Sequence, residues 1–201
     1  MNRVGWKNLF NINKILKVLV ASDVIIFSGW GLMSPVFAVF VTEQIPGATL
    51  VTVGIAEAIY LATKSILQIP IGMKIDETEG EKIDFWLAFL GSILSAIAIL
   101  LYILAKSPLH IYLIEFLFGV AGAISYPAWM GLFSRNIEEG RESFLWGMHS
   151  TTTELSWAVT AVLGGFVAEK FGFGSLFLTA GTIALLGSLV LFVVYREIAT
   201  E

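Results

Sequence analysis

The hydrophobic positions of this chain fall into six blocks, at about 16–41, 49–73, 83–105, 108–133, 143–169 and 173–195. Short polar connections near 42–48, 74–82, 106–107, 134–142 and 170–172 separate them. A helix rises about 1.5 Å per residue, so roughly 30 Å of hydrocarbon takes about 20 residues to cross. Every block has that length, and residues 85–104 and 173–195 carry no charge at all. The blocks lack the two-residue alternation of membrane β-strands, which excludes a barrel reading. Arg3, Lys7, Lys14 and Lys17 precede the first block as they would in a signal peptide. Its apolar run is too long for one and no small-residue cleavage site follows, so it is expected to remain as a helix. The pattern predicts an all-α membrane protein with one six-helix transmembrane domain over residues 1–201.

Composition agrees. Of the 201 residues, 57% are hydrophobic and 14% charged, against about 25% charge in an ordinary soluble domain. The net charge of −4 argues against a nucleic-acid partner, which needs clustered Lys and Arg. Absence of cysteine removes disulfides and thiolate metal sites. Two histidines are too few for a histidine-rich metal centre, and no metal or cofactor is expected. With the N-terminus in the cytoplasm, that side receives Arg3, Lys7, Lys14, Lys17, Lys74, Lys82, Arg135, Arg141 and Arg196. The other side receives Lys106 and Lys170. This bias predicts cytoplasmic termini, and the plasma membrane is the expected location.

Candidate chemistry lies in the ionisable residues within the spans: Asp23 in the first, Glu57 and Lys64 in the second, Glu115 in the fourth, and His149 and Glu154 in the fifth. Each charge at mid-bilayer costs roughly 2.5–3.5 kcal/mol. Facing lipid, the five carboxylate and ammonium groups would together cost on the order of 15 kcal/mol. They are therefore expected to face a wet or protein interior, with the charge-free third and sixth spans outside. Glu57, Tyr60 and Lys64 are spaced i, i+3, i+7 and share one helix face. They serve either as a structural lock or as a substrate or proton site; the Lys64 ammonium needs a nearby carboxylate or water, and Asp23 or Glu115 could approach it from the first and fourth spans. Trp30 and Tyr60 are candidate cavity walls. The polar turn from His149 through Ser150, Thr151, Thr152 and Thr153 to Glu154 is not read as a hydrolase site. Neighbouring positions on a helix point about 100° apart, and no nucleophile elbow surrounds the serine.

Sliding the sequence by 92 places Pro35 on Pro127, Gly72 on Gly164, Gly80 on Gly172, Phe85 on Phe177 and Asp23 on Glu115. Three spans followed by three similar spans have opposite topology, as in transporters built on inverted repeats.

These residues resemble the major facilitator superfamily. The segment 72–82 is similar to that family's cytoplasmic signature loop: Gly72 and Asp76 match, Gly80 falls one position late, and Lys82 alone stands for the basic pair. Glu115, Phe118 and Gly119 occupy the frame of the family's arginine, glutamine and glycine, with only the glycine kept. Gly164, Gly165, Gly172 and Phe177 look like its helix 5–6 junction. Thr160 and Ala161 replace the antiporter glycine-proline, while Pro127 and Trp129 fit. The resemblance covers roughly 15–196, half of a usual member. It implies one half of a facilitator-type bundle, arranged as an inverted three-plus-three repeat. It further implies a secondary active transporter of a small solute, with protons as the candidate coupling ion, and not an enzyme. Gly72, Asp76, Gly80 and Lys82 would then act in gating. The expected partners are the lipid bilayer, the solute, and a parallel homodimer mate or separately encoded second half. The alternative is a non-transporting membrane scaffold or assembly subunit with the same fold.

Overall fold

The structure, a computed structural model, describes residues 12–78 and 80–198. Arg3 and Lys7, which enter the charge bias, lie outside the described residues. Helix α1, Lys14–Met33, begins where the Asn13 side chain accepts a hydrogen bond from the Ile15 backbone N–H at 2.9 Å. Pro35 lacks a backbone donor and collides with the preceding turn. There the path tightens into a 3₁₀ turn, Ser34–Val36, before continuing as α2, Phe37–Gln44. Helix α3, Leu50–Asp76, opens with the Thr49 backbone N–H donating to Thr52 Oγ1 at 3.0 Å. Helix α4 is Glu81–Leu101 and α5 is Pro108–Arg135. Helix α6, Glu142–Val190, is broken at Gly172, and α7 is Phe192–Ile198. Among the described residues five helical stretches are long and apolar enough to cross a membrane, and the protein is an all-α membrane protein.

The break in α6 is a reversal, as its contacts with α1 demonstrate. Asp23 meets His149, and Phe27 meets Trp157. A Cβ at Gly31 would strike Trp157 and Thr160, and one at Gly164 would strike the Leu32 backbone. The first arm of α6 thus runs parallel to α1. Ser22 donates to the Gly187 carbonyl at 2.8 Å, while Gly29 packs on Ala180 and Ala184. The second arm therefore runs antiparallel. Gly172 sits at φ 82°, ψ 166°, a conformation essentially reserved for glycine. The arms flank α1 closely because small residues let the backbones approach.

Two apolar clusters fill the two ends of the bundle. One gathers Leu16, Leu19, Phe85, Leu132, Phe133, Leu145 and Val194. The other gathers Phe40, Val41, Tyr102, Ile111, Leu176 and Phe177. Between them lies a polar band that includes Asp23, Ser92 and Ser95, all buried.

The end carrying the first cluster also carries the charged ring. Asn13 donates to Asn136, Asn136 to Glu81 at 2.9 Å, and Lys14 pairs with Glu197.

Layering departs from the expectation drawn from charge alone. The third and sixth spans were expected outside; α4 instead buries Ala88, Gly91, Ser92, Ser95, Ala96 and Ala98, and the second arm of α6 buries Leu176, Phe177, Ala180, Ala184 and Ser188. Gly91 of α4 fits so closely that a Cβ would come within 2.7 Å of Ser125. Helix α3 and the first arm of α6 are peripheral, with Leu50, Ile66, Val159 and Val162 each more than 60% exposed. Charge count measures what a helix face holds; the spacing of small residues measures how near another helix can come.

Candidate functional site

A cavity of about 400 Å³ occupies the polar band, walled by α1, α3, α4, α5 and the first arm of α6. Five expected site residues line it: Asp23, Trp30, Tyr60, Lys64 and His149. Asp23 enters because the α1 face that buries Leu16, Leu19 and Ile26 also carries position 23 inward. His149 Nε2 lies 2.8 Å from Asp23 Oδ2. Its ring packs between Trp129, Phe133 and Trp146, with centroids at 4.6, 5.6 and 6.2 Å. The aromatic walls fix the imidazole and the carboxylate fixes which nitrogen faces the cavity wall, so the pair is held as one unit.

Lys64 has other neighbours than the expected carboxylates. Its Nζ lies 4.5 Å from the Tyr126 ring centre and 5.9 Å from that of Tyr60. Among the described residues no carboxylate comes within 4.0 Å of it. Asp23 is engaged with His149, and Glu115 accepts from the Tyr102 hydroxyl at 2.7 Å. The ammonium is thus stabilised by ring faces and remains free to meet a ligand. Serines 92, 95 and 125 line the same cavity.

A second cavity, about 260 Å³, is lined by Glu57, Tyr60, Glu115, Phe118, Trp157 and Trp30. Trp30 and Tyr60 border both cavities. An unbroken run of rings crosses four helices here: Trp157 to Phe27 at 5.9 Å, Phe27 to Trp30 at 4.9 Å, Trp30 to Phe118 at 5.5 Å, and Phe118 to Tyr60 at 5.4 Å. The two cavities follow one another along the helices with this aromatic partition between them. The shared face of Glu57, Tyr60 and Lys64 is therefore divided, with Tyr60 at the partition and the two charges on opposite sides.

Glu154 lies apart from both cavities. With His149, Ser150 and Trp157 it borders an open groove on the first arm of α6. Ser150 donates to Glu154 at 2.6 Å, and the Thr152 and Thr153 hydroxyls donate to carbonyls one turn back. This is ordinary back-bonding within a helix, and Ser150 is not directed at His149.

The loop residues gather at the charged end. Gly72 and Asp76 border a groove with Pro127, Gly131 and Arg135, and a Cβ on Gly72 would rest 3.6 Å from Pro127. Gly80 takes φ 90° as it caps α4, and Lys82 is exposed. Sequence reasoning missed Asp84, only 1% exposed, which pairs with Arg135 across α4 and α5. A carboxylate on the first turn of a spanning helix was the available signal. It also missed Ser92, Ser95, Tyr126 and Trp129, which carry no signal apart from the fold.

Comparison with known proteins bears on this arrangement. The family model described as Major Facilitator Superfamily matches residues 19–201. A protein of Methanocaldococcus jannaschii, named only as an uncharacterized MFS-type transporter, is 19% identical over 170 residues. The match covers 85% of this chain and 42% of that protein. This chain thus spans about two fifths of the length of the curated relative it matches.

Proposed function

The chain belongs to the Major Facilitator Superfamily, and on that premise we propose that it is a secondary active transporter moving a small solute by alternating access. The observation that carries the reading is the partitioned cavity. Ionisable and aromatic side chains from five helical segments meet in the middle of a bundle whose two ends hold separate apolar clusters. Intramembrane ionisable groups facing such a cavity mark substrate or proton pathways. The Asp23–His149 pair is the proposed proton-handling element, and Lys64 with Tyr60 and Trp30 the proposed solute contacts.

Six transmembrane helices in an inverted three-plus-three repeat are part of the proposal. Its support is backbone geometry. Gly80 and Gly172, 92 positions apart, take nearly the same rare conformation, φ 90°, ψ 162° and φ 82°, ψ 166°. A second six-helix unit completes the proposed transporter, either a parallel copy of this chain or a separately encoded half. Support comes from α3 and the first arm of α6, which leave Leu61, Ile66, Val159 and Val162 exposed beside the ionisable Glu57 and Glu154. Cytoplasmic termini are proposed from the charge bias, and the plasma membrane is the proposed location. Gly72, Asp76, Gly80 and Lys82 are proposed to act where the gating ends of α3, α4 and α5 meet.

The test is uptake of a broad solute panel, with proton movement recorded, by the purified chain in liposomes. We expect saturable flux of at least one solute, reduced by Asp23→Asn and by Lys64→Met. Neither solute nor proton flux in well-folded protein would overturn the reading and leave the scaffold alternative.

A further inference from the structure

The cavity at Lys64 holds donors that no protein acceptor meets, beside serine and tyrosine hydroxyls that can donate or accept. The Lys64 ammonium has no carboxylate within 4.0 Å among the described residues. The indole Nε1 atoms of Trp129 and Trp30 are buried without a hydrogen-bond partner, and Trp129 as a whole is 7% exposed. Both tryptophans line this same cavity. An indole N–H can only donate, and so can an ammonium. The carboxylate lining the cavity, Asp23, has its Oδ2 engaged by His149 at 2.8 Å. A buried donor left without an acceptor is unfavourable, so the ligand that suits Lys64 brings acceptors and negative charge.

The rest of the wall is apolar and aromatic: Ile26, Phe27, Tyr126, Met130, Trp146 and Leu191. That lining does not suit a small, fully hydrated ion. It suits an organic body of a size that enters about 400 Å³, within the usual range of small-molecule sites. Beyond the aromatic partition stand Glu57 and Glu115, which would repel a second negative group on the same molecule. We infer that the solute bound at Lys64 is a small organic monoanion with an apolar or aromatic body, its acid group held by Lys64. The inference deepens the transporter reading and rests on it for why a solute enters the cavity, but binding can be measured without transport.

The experiment uses the purified full chain in detergent or nanodiscs with three probes of matched shape: 3-phenylpropionate, 3-phenylpropylamine and 3-phenylpropanol. Inorganic phosphate serves as a fourth. Binding is read by calorimetry and by quenching of the cavity tryptophans. The expected result is saturable binding of 3-phenylpropionate, at least roughly tenfold tighter than the amine, the alcohol or phosphate. Lys64→Arg keeps that preference, and Lys64→Met lowers phenylpropionate binding to the level of the alcohol. Equal or tighter binding of the amine or alcohol overturns the inference, as does a preference that survives Lys64→Met. So does phosphate binding as well as phenylpropionate, or no saturable binding by any probe up to millimolar concentration. Should Lys64→Met fail to fold, the wild-type ranking alone decides. Anion-selective binding with no flux in liposomes would retain this inference and sink the transporter reading. Flux without anion preference would do the reverse.

Discussion

Replacing His149 by alanine removes the group that faces Asp23 inside the bundle. The carboxylate loses a contact of 2.8 Å at a position where its side chain is 12% exposed and that of the histidine 15%. Breaking a buried pair by deleting one partner costs about 3–5 kcal/mol, mostly as the penalty of the abandoned charge. The slight exposure places this pair at the lower end, about 3 kcal/mol. The ring also packs on Trp129 at 4.6 Å and Phe133 at 5.6 Å, so its removal adds a packing loss in the same direction. For a chain of this size each kcal/mol lowers Tm by about 2–4 °C, which gives a fall of roughly 6–12 °C in a detergent melting assay. The double variant Asp23→Asn with His149→Gln swaps both partners for neutral groups that can still hydrogen-bond. It should recover most of the loss, because replacing both members of such a pair is often nearly neutral. A His149→Ala melt within about 2 °C of wild type would refute the pairing. So would a double variant as unstable as the single.

Three further outcomes follow. Tyr102→Phe leaves buried Glu115 without the hydroxyl that now donates at 2.7 Å, and should cost about 1–3 kcal/mol, read as a lower melting temperature with unchanged helix content. Gly172→Ala forces a side chain into φ 82°, ψ 166° at the reversal of α6; a loss of about 1–3 kcal/mol is expected, and an unchanged melt would deny the reversal its strain. In a chain without native cysteine, a cysteine at Ser107 should react with an impermeant thiol reagent from outside the cell and one at Thr78 should not; the reverse pattern would invert the proposed orientation.

Much of the architecture is legible because the bilayer imposes a length. Blocks of spanning length had to become helices, and two of their boundaries follow from Gly80 and Gly172, whose positive φ ends an ordinary helix. The burial of Asp23 and Glu115 was legible from the cost of exposing them to lipid, whereas Lys64 is half-buried and Glu57 and Glu154, read inward by the same argument, are exposed on this chain. Which of these residues meet was not legible. Lys64 looked destined for a carboxylate, yet it lies on Tyr126 while Asp23 faces His149. Pairing between helices depends on their relative rotation and rise, which the periodicity of any one helix does not encode. For the same reason the serines of α4 and the indole of Trp129 gave no warning of their place at the cavity. Asp84 and Arg135 were visible as charges near span ends, but their partnership needed the closeness of α4 and α5.

The central claim is that the cavity at Lys64 is reached alternately from the two sides of the membrane. A single cysteine at Ser125, which lines that cavity, tests it in sealed vesicles of known orientation. An impermeant thiol reagent is expected to label this cysteine from either side, each in part, and a transported solute to shift the balance between the two. Labelling from one side only, unchanged by every solute that the protein binds, would contradict it.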